Sequence, residues 1–349
     1  MRETIAKRSD LETRLELPGT AMPVFILGIL PRSGTHFLAN LLCLHPDCTK
    51  SAIPEDSLLG QSRFLNHYVS ALRRQWLEQT EAVDQQLDDL LWESLGEGLL
   101  RFLEQTRAQV VEKNLVRRGK NAETQTKSKR IITKTPMVEG LENFFRLFPR
   151  AHLLILVRDG RAVVESNALS FEKDRERITR TWAKYARKIV DFDRDSGRVA
   201  RSYLIVRYED LVTETEREMR RVLSFLELDE RYFDFEAALE VPVVGSSTFK
   251  RGDGPVHWLP VRKTAEFNPL ARADHWDRAA HERFNWLAGG ELTAFGYEPK
   301  LYPGGSVRWA TWNRVKDLKW SATMSGRKLQ RLGTGVARRM RTVLAKQSK

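Results

Sequence analysis

Two short stretches combine residue types that grip a phosphate or a sulfate. The first, Pro31-Arg32-Ser33-Gly34-Thr35-His36-Phe37, follows the apolar run Val24-Phe25-Ile26-Leu27-Gly28-Ile29 and opens into Leu38-Ala39-Asn40-Leu41-Leu42. A turn of small residues between a strand and a helix leaves backbone N–H groups pointing outward at the positive end of the helix dipole, a nest for an anion. Arg32 adds charge and Thr35 a hydroxyl, with Ser33, Gly34 and Phe37 completing the loop. His36 is expected beside the loop as a neutral donor.

The second stretch begins with Leu153-Leu154-Ile155-Leu156-Val157, too short for a helix and rich in branched residues, which reads as a buried parallel strand. It ends in Arg158-Asp159-Gly160-Arg161 and passes into the helical pattern Ala162 to Ala168. With Arg158 at the strand end, Ser166 lies about two turns into that helix, where it can meet the same anion. A solvated turn in which Asp159 caps the helix explains the same residues without a ligand.

In this order and spacing the motifs resemble those of the sulfotransferase family. The Pro-Arg-Ser-Gly-Thr loop resembles that family's site for the 5′-phosphosulfate of 3′-phosphoadenosine 5′-phosphosulfate (PAPS), and Arg158 to Ser166 its 3′-phosphate site. Between them, Lys134-Thr135-Pro136 resembles the family's Lys-x-Pro element, and Tyr208-Glu209-Asp210-Leu211 its Tyr-Glu-Asp-Leu element. His45-Pro46-Asp47 is similar to the protein-tyrosine and bacterial carbohydrate branch, in which a glutamate shortly afterwards acts as base. Glu55 is its counterpart, although the interval is about two residues longer, which leaves Asp56 open as well. Met137 stands where a histidine base of the cytosolic small-molecule branch would be. The resemblance implies PAPS as sulfuryl donor, no metal, and a hydroxyl-bearing acceptor, with a carbohydrate or glycolipid first and a tyrosyl peptide or small metabolite as the alternative. It also implies Ser247 and Arg251 as cofactor contacts, in a late Gly/Ser segment that folds over the nucleotide. Tyr208 reads equally as a structural aromatic and as an adenine contact.

Sulfuryl transfer to a hydroxyl is an in-line displacement close in form to phosphoryl transfer, with less charge to neutralise. A base must take the acceptor proton, a role fitting Glu55. Cations must stabilise the departing phosphate, a role fitting Lys134 with Arg32. Pro54-Glu55-Asp56 also fits a proline turn whose acidic residues cap Ser57-Leu58-Leu59.

These residues need a parallel sheet whose carboxyl edge gathers them. Runs 24–30 and 153–157, the strand-like Arg130-Ile131-Ile132-Thr133 and Tyr203-Leu204-Ile205-Val206, with helical patterns at 175–192 and 216–226, predict an α/β fold of P-loop-like type. Residues 21–300 are expected as the catalytic domain, after a tail at 1–20. Helix-period leucines at 57–118 predict an inserted cap of two or three helices. Residues 301–349 are expected as a basic amphipathic extension. From Leu318 to Lys349 there are nine Lys/Arg and no Asp/Glu, most of the net charge of +12. Interleaved Trp309, Trp312 and Trp320 fit a solvated extension first; an anionic membrane surface bound through residues 306–349 is the second reading, and an anionic glycan or, least of all, a nucleic acid the third.

The apolar runs are far short of the roughly 20 residues of a membrane span. The first ten residues are polar where a signal peptide needs an apolar core, and two cysteines and no Asn-x-Ser/Thr acceptor fit a reducing cytosol. The expected location is cytoplasmic, with a peripheral position at the inner membrane face as the alternative. Cys43, His45 and Cys48 form one isolated group without a second pair, so no metal site is expected. The competing classes are a P-loop kinase, against which stands the missing Gly-Lys-Ser/Thr ending, and a non-catalytic nucleotide- or membrane-binding module.

Overall fold

The computed structural model describes residues 22–79, 85–117, 129–196, 203–246, 256, 258–262 and 267–347, and for 111–117, 196 and 327–347 the backbone alone. Ser247 and Arg251 lie outside the described residues.

The apolar runs form parallel strands. β1 (Val24–Gly28), β2 (Cys48–Lys50), β3 (Arg130–Thr135), β4 (His152–Val157) and β5 (Tyr203–Arg207) make one sheet in the order β2-β3-β1-β4-β5. Gly28 pairs with Leu156, Leu27 with Thr135 and Val157 with Arg207, so the strands end level and deliver their following loops to one edge. The order reverses about β1, with β2 and β3 on one side and β4 and β5 on the other. The loops after β1 and β4 therefore diverge and leave the crevice in which ligands of open α/β sheets bind.

Alternation along the strands divides the core. Phe25, Leu27, Leu153 and Ile155 face a cluster with Trp92, Phe144, Trp182 and Phe284, whereas Val24, Ile26, Leu154 and Leu156 face Leu38, Leu41, Met219 and Leu223. Each such fully buried aliphatic side chain stabilises the fold by roughly 1.5–3 kcal/mol.

α1 (Thr35–Leu42) follows the first loop; α2 (Ser62–Leu77) and α3 (Gln85–Arg117) are two helices between β2 and β3. α4 (Phe144–Leu147) is a single turn, α5 (Gly160–Phe171) carries the second motif, and α6 (Arg175–Ser196) is the long helix expected there. α7 (Tyr208–Thr213), α8 (Thr215–Phe225) and α9 (Phe235–Leu239) precede a small antiparallel pair, β6 (Val243–Val244) with β7 (Pro260–Val261).

α10 (Arg278–Ala294) packs on α6, and α11 (Ser306–Gln347) is one helix of 42 residues. The start of α11 is tied to the body. Arg283 Nη1 donates to Asn313 Oδ1 at 3.0 Å and Nη2 to Asp317 Oδ1 at 2.7 Å, Trp286 Nε1 donates to Asp317 Oδ2 at 2.8 Å, and Arg180 also reaches Asp317. Among the described residues no helix is long and apolar enough to cross a membrane.

Candidate active site

The loop after β1 turns through two left-handed residues, Arg32 at φ +82° and Gly34 at φ +103°. At Gly34 the conformation and the space both demand glycine, because a Cβ would stand 2.4 Å from Tyr208 Cδ2. Tyr208, at the start of α7, thus packs directly under the loop. At the head of α1, Phe37 N and Leu38 N both donate to the Gly34 carbonyl, at 2.9 and 3.2 Å, and the amides before them are the ones an α-helix leaves without a partner of its own.

The motif after β4 locks onto this loop. Arg158 Nη1 donates to the Arg32 carbonyl at 2.8 Å and Nη2 to the Pro269 carbonyl at 2.6 Å, with its guanidinium 4.3 Å above the Tyr208 ring. Asn167 Nδ2 donates to the Pro31 carbonyl at 2.8 Å. Arg32 Nε donates to Ser166 Oγ at 3.1 Å and Nη2 to the Gly245 carbonyl. The two motifs are therefore joined by direct hydrogen bonds. Asp159 also caps α5, accepting from Arg161 N at 2.8 Å, and pairs with the Arg161 guanidinium. The capping role and the site role belong to adjacent residues.

A third guanidinium, Arg272, was not read from the sequence. It comes from the turn after Asn268-Pro269, whose Asn268 Oδ1 accepts from Leu270 N at 3.0 Å and Ala271 N at 3.2 Å, and its Nη2 donates to Ser246 Oγ at 2.8 Å. Burial, and then the neighbouring Arg158 and Arg272, push the Arg32 pKa down to about 10. Burial, and then Arg158, push Arg272 down to about 10 as well. Three guanidiniums crowded together while buried favour any anion that enters between them.

These groups line a cleft of about 270 Å³ together with Gly34, Thr35, His36, Phe37, Glu55, Ser166 and Tyr208. Phe171, Lys173 and Trp258 also line it, and none of them was singled out in the sequence. The rings of Phe171 and Trp258 flank the Arg32 guanidinium at 5.8 and 5.9 Å. Ser33 stands apart from the other loop residues: it is fully buried beneath the loop, its Oγ without a hydrogen-bond partner among the described residues.

Glu55 lies beyond α1 on the loop that leads to α2. Its Oε1 accepts from Lys134 Nζ at 3.3 Å, where Lys134 projects from β3. Burial pushes Lys134 down, against the neighbouring Glu55 and Asp56 carboxylates, which hold its charge. The pKa of His36 is pushed down to about 4 by burial and by Lys134, Lys50 and Arg32, which favours the neutral ring. His45 is used structurally: its Nδ1 accepts from Asp47 N at 3.2 Å and its Nε2 meets the Asp229 carbonyl at 3.1 Å. Burial raises the Cys43 and Cys48 thiols to about 11 and about 12, and among the described residues no group of metal-binding side chains is found.

The cleft gathers the loop after β1, Arg32, Arg158, Arg272 and Ser166, a cationic lining that suits an anionic ligand, and the buried Nε of Arg158 has no partner among the described residues.

The sequence matches the protein-tyrosine sulfotransferase of Drosophila melanogaster at 27% identity over 216 residues, covering 59% of this chain and 38% of that protein. Protein-tyrosine sulfotransferase 1 of Danio rerio is 26% identical over 216 residues, covering 59% of this chain and 54% of that protein. The chain thus spans about half the length, or less, of the curated relatives it matches. Among solved structures, the sulfotransferase domain of a Synechococcus olefin synthase is 22% identical with a TM-score of 0.45, covering 80% of this chain and 96% of that one. The sulfotransferase from Alicyclobacillus acidocaldarius is 12% identical with a TM-score of 0.42, covering 78% of this chain and 94% of that one. The profile described as the Sulfotransferase family matches residues 23–233, which include both anion motifs, Glu55 and Lys134, and the chain belongs to that family.

Proposed function

We propose that this chain transfers a sulfuryl group to an acceptor hydroxyl by in-line displacement, with PAPS as donor and Glu55 as base. The observation that carries this reading is the pairing of Glu55 with Lys134 at 3.3 Å, beside a cleft lined by three guanidiniums. Bound PAPS supplies the sulfuryl group and leaves as the 3′,5′-bisphosphate PAP. Glu55 takes the proton of the acceptor hydroxyl, a contribution of about 10² to 10⁴ in rate. Lys134 Nζ and Arg32 hold positive charge where the departing phosphate develops negative charge. Arg158, Arg272 and Ser166 bind the 3′-phosphate and set the register, and the Gly34 to His36 amides hold the 5′ side.

Asp56 is the weaker base candidate, because both of its carboxylate oxygens are engaged by Leu58 N and the Thr133 hydroxyl. A kinase reading requires the Gly-Lys-Ser/Thr ending, and here Gly34 is followed by Thr35 and His36.

A carbohydrate or glycolipid hydroxyl is the acceptor class we favour. Phe171 and Trp258, exposed to 40% and 52%, put aromatic surface at the cleft, which suits the apolar face of a sugar. A tyrosyl peptide is the second reading, favoured by the two relatives named as protein-tyrosine sulfotransferases. Incubation with radiolabelled PAPS, once with a glycan and glycolipid panel and once with acidic tyrosyl peptides, tests both. Label appearing in either panel, and lost in Glu55→Gln, supports transfer. No label in any acceptor, with PAP binding intact, contradicts it.

A further inference from the structure

Glu55, Asp56 and Ser57 sit against the end of β3 in a regular way. Asp56 Oδ2 accepts from Thr133 Oγ1 at 2.5 Å, Glu55 Oε1 accepts from Lys134 Nζ at 3.3 Å, and Ser57 N donates to Thr135 Oγ1 at 3.2 Å. Neighbouring strand residues point to opposite faces of the sheet. Thr133 and Thr135 therefore lie on the face opposite Lys134, and the loop straddles the strand with Glu55 on one side and Asp56 and Ser57 on the other. Both threonines are buried, and Asp56 Oδ1 also accepts from Leu58 N at 2.8 Å. Ser57 is held at φ +52°, a left-handed conformation that a serine adopts only when its surroundings impose it.

We propose that Asp56 is a positioning residue which, clipped to Thr133, fixes the loop so that the Glu55 carboxylate stays against Lys134. The inference rests on Glu55 being the base. A glutamate on a free loop spreads its carboxylate over many rotamers, and misplacement by about 1 Å can cost on the order of 10²-fold in rate. An O–H···O⁻ bond of this kind is among the stronger side-chain hydrogen bonds, and here its donor is buried on a central strand. The clip places the acid–base group by anchoring its sequence neighbour to the strand that carries Lys134.

Thr133→Val keeps the shape and removes the donor, and Thr133→Ser restores it. Hydrogen exchange of the peptide spanning 51–60 is read alongside transfer of label from radiolabelled PAPS to the acceptor panels, in wild type, Thr133→Val, Thr133→Ser, Glu55→Gln and the Thr133→Val/Glu55→Gln double variant. PAP titration checks that each variant retains the nucleotide site. Faster exchange at Ser57 and Leu58 is expected in Thr133→Val, with turnover down about tenfold or more. Thr133→Ser should recover both, and Thr133→Val should add little loss to Glu55→Gln, as for residues acting through one another. Unchanged exchange in Thr133→Val overturns the clip. Losses that multiply in the double variant overturn action through Glu55. Full turnover in Glu55→Gln overturns the base assignment, and with it the catalytic purpose of the clip, whatever the exchange shows.

Discussion

Lys134 Nζ lies 3.3 Å from Glu55 Oε1, joining an ammonium 8% exposed to a carboxylate 43% exposed. The asymmetry matters more than the contact. A half-open pair of this kind adds only about 0–1 kcal/mol to stability. Its carboxylate, however, remains reachable from the cleft while its ammonium is fixed on β3. That division suits a base that must meet a diffusing hydroxyl and a cation that must not move.

Removing the base should separate chemistry from binding. Glu55→Gln is expected to lower turnover by about 10² to 10⁴-fold while PAP affinity stays within about twofold of wild type. Single-turnover kinetics and calorimetry on the same preparation measure the two quantities.

The loop should tolerate no side chain at Gly34. In Gly34→Ala the Cβ would stand 2.4 Å from Tyr208 Cδ2 at a φ of +103°, so Tyr208 or the loop must move. We expect a loss of about 1–3 kcal/mol of stability together with weakened PAP binding. Thermal unfolding with and without PAP checks both, and a variant of wild-type stability would contradict the close packing.

His36 should make the protein acid-sensitive in a defined window. Its pKa falls from 6.5 to about 4 on folding, so the unfolded chain takes up the proton first as the pH drops. Stability contributed by the neutral ring is present above pH 6.5 and is lost progressively towards pH 4. His36→Gln should show a smaller fall in melting temperature across that window. His152 and His281, also lowered by burial, and the paired carboxylates keep part of the fall in both proteins.

The basic extension can be tested without disturbing the fold only if the cut is placed correctly. Asn313 and Asp317 hold the buried Arg283, so truncation before them would leave a buried charge without those partners. Asp317→Ala alone should lower the melting temperature by several degrees. Ending the chain at Gly326 removes eight of the nine cations counted from Leu318 onward. It should abolish sedimentation with anionic vesicles while leaving unfolding unchanged, and undiminished vesicle binding would contradict a membrane role.

The strand–turn–helix at 24–42 and the Arg158-to-Ser166 spacing were legible in the sequence because local patterning dictates both. Arg272 and Trp258 were not legible. They come from a stretch without periodicity, and only the fold brings them over Arg158 and Arg32. In the sequence Glu55 stands ahead of Asp56 only through the family resemblance, because adjacent carboxylates differ chiefly in their partners: Lys134 for one, Thr133 and the Leu58 amide for the other. Tyr208 was left between two roles and in the structure lies under the loop and at the cleft together.

The most direct test is calorimetric titration of the purified chain with PAP and with ADP, in wild type and in Arg158→Ala and Arg272→Ala. The account predicts that PAP binds at least about tenfold more tightly than ADP and that each substitution costs about tenfold to a hundredfold in PAP affinity. Equal binding of PAP and ADP, or undiminished PAP affinity in both variants, would contradict a site built for a 3′-phosphorylated nucleotide.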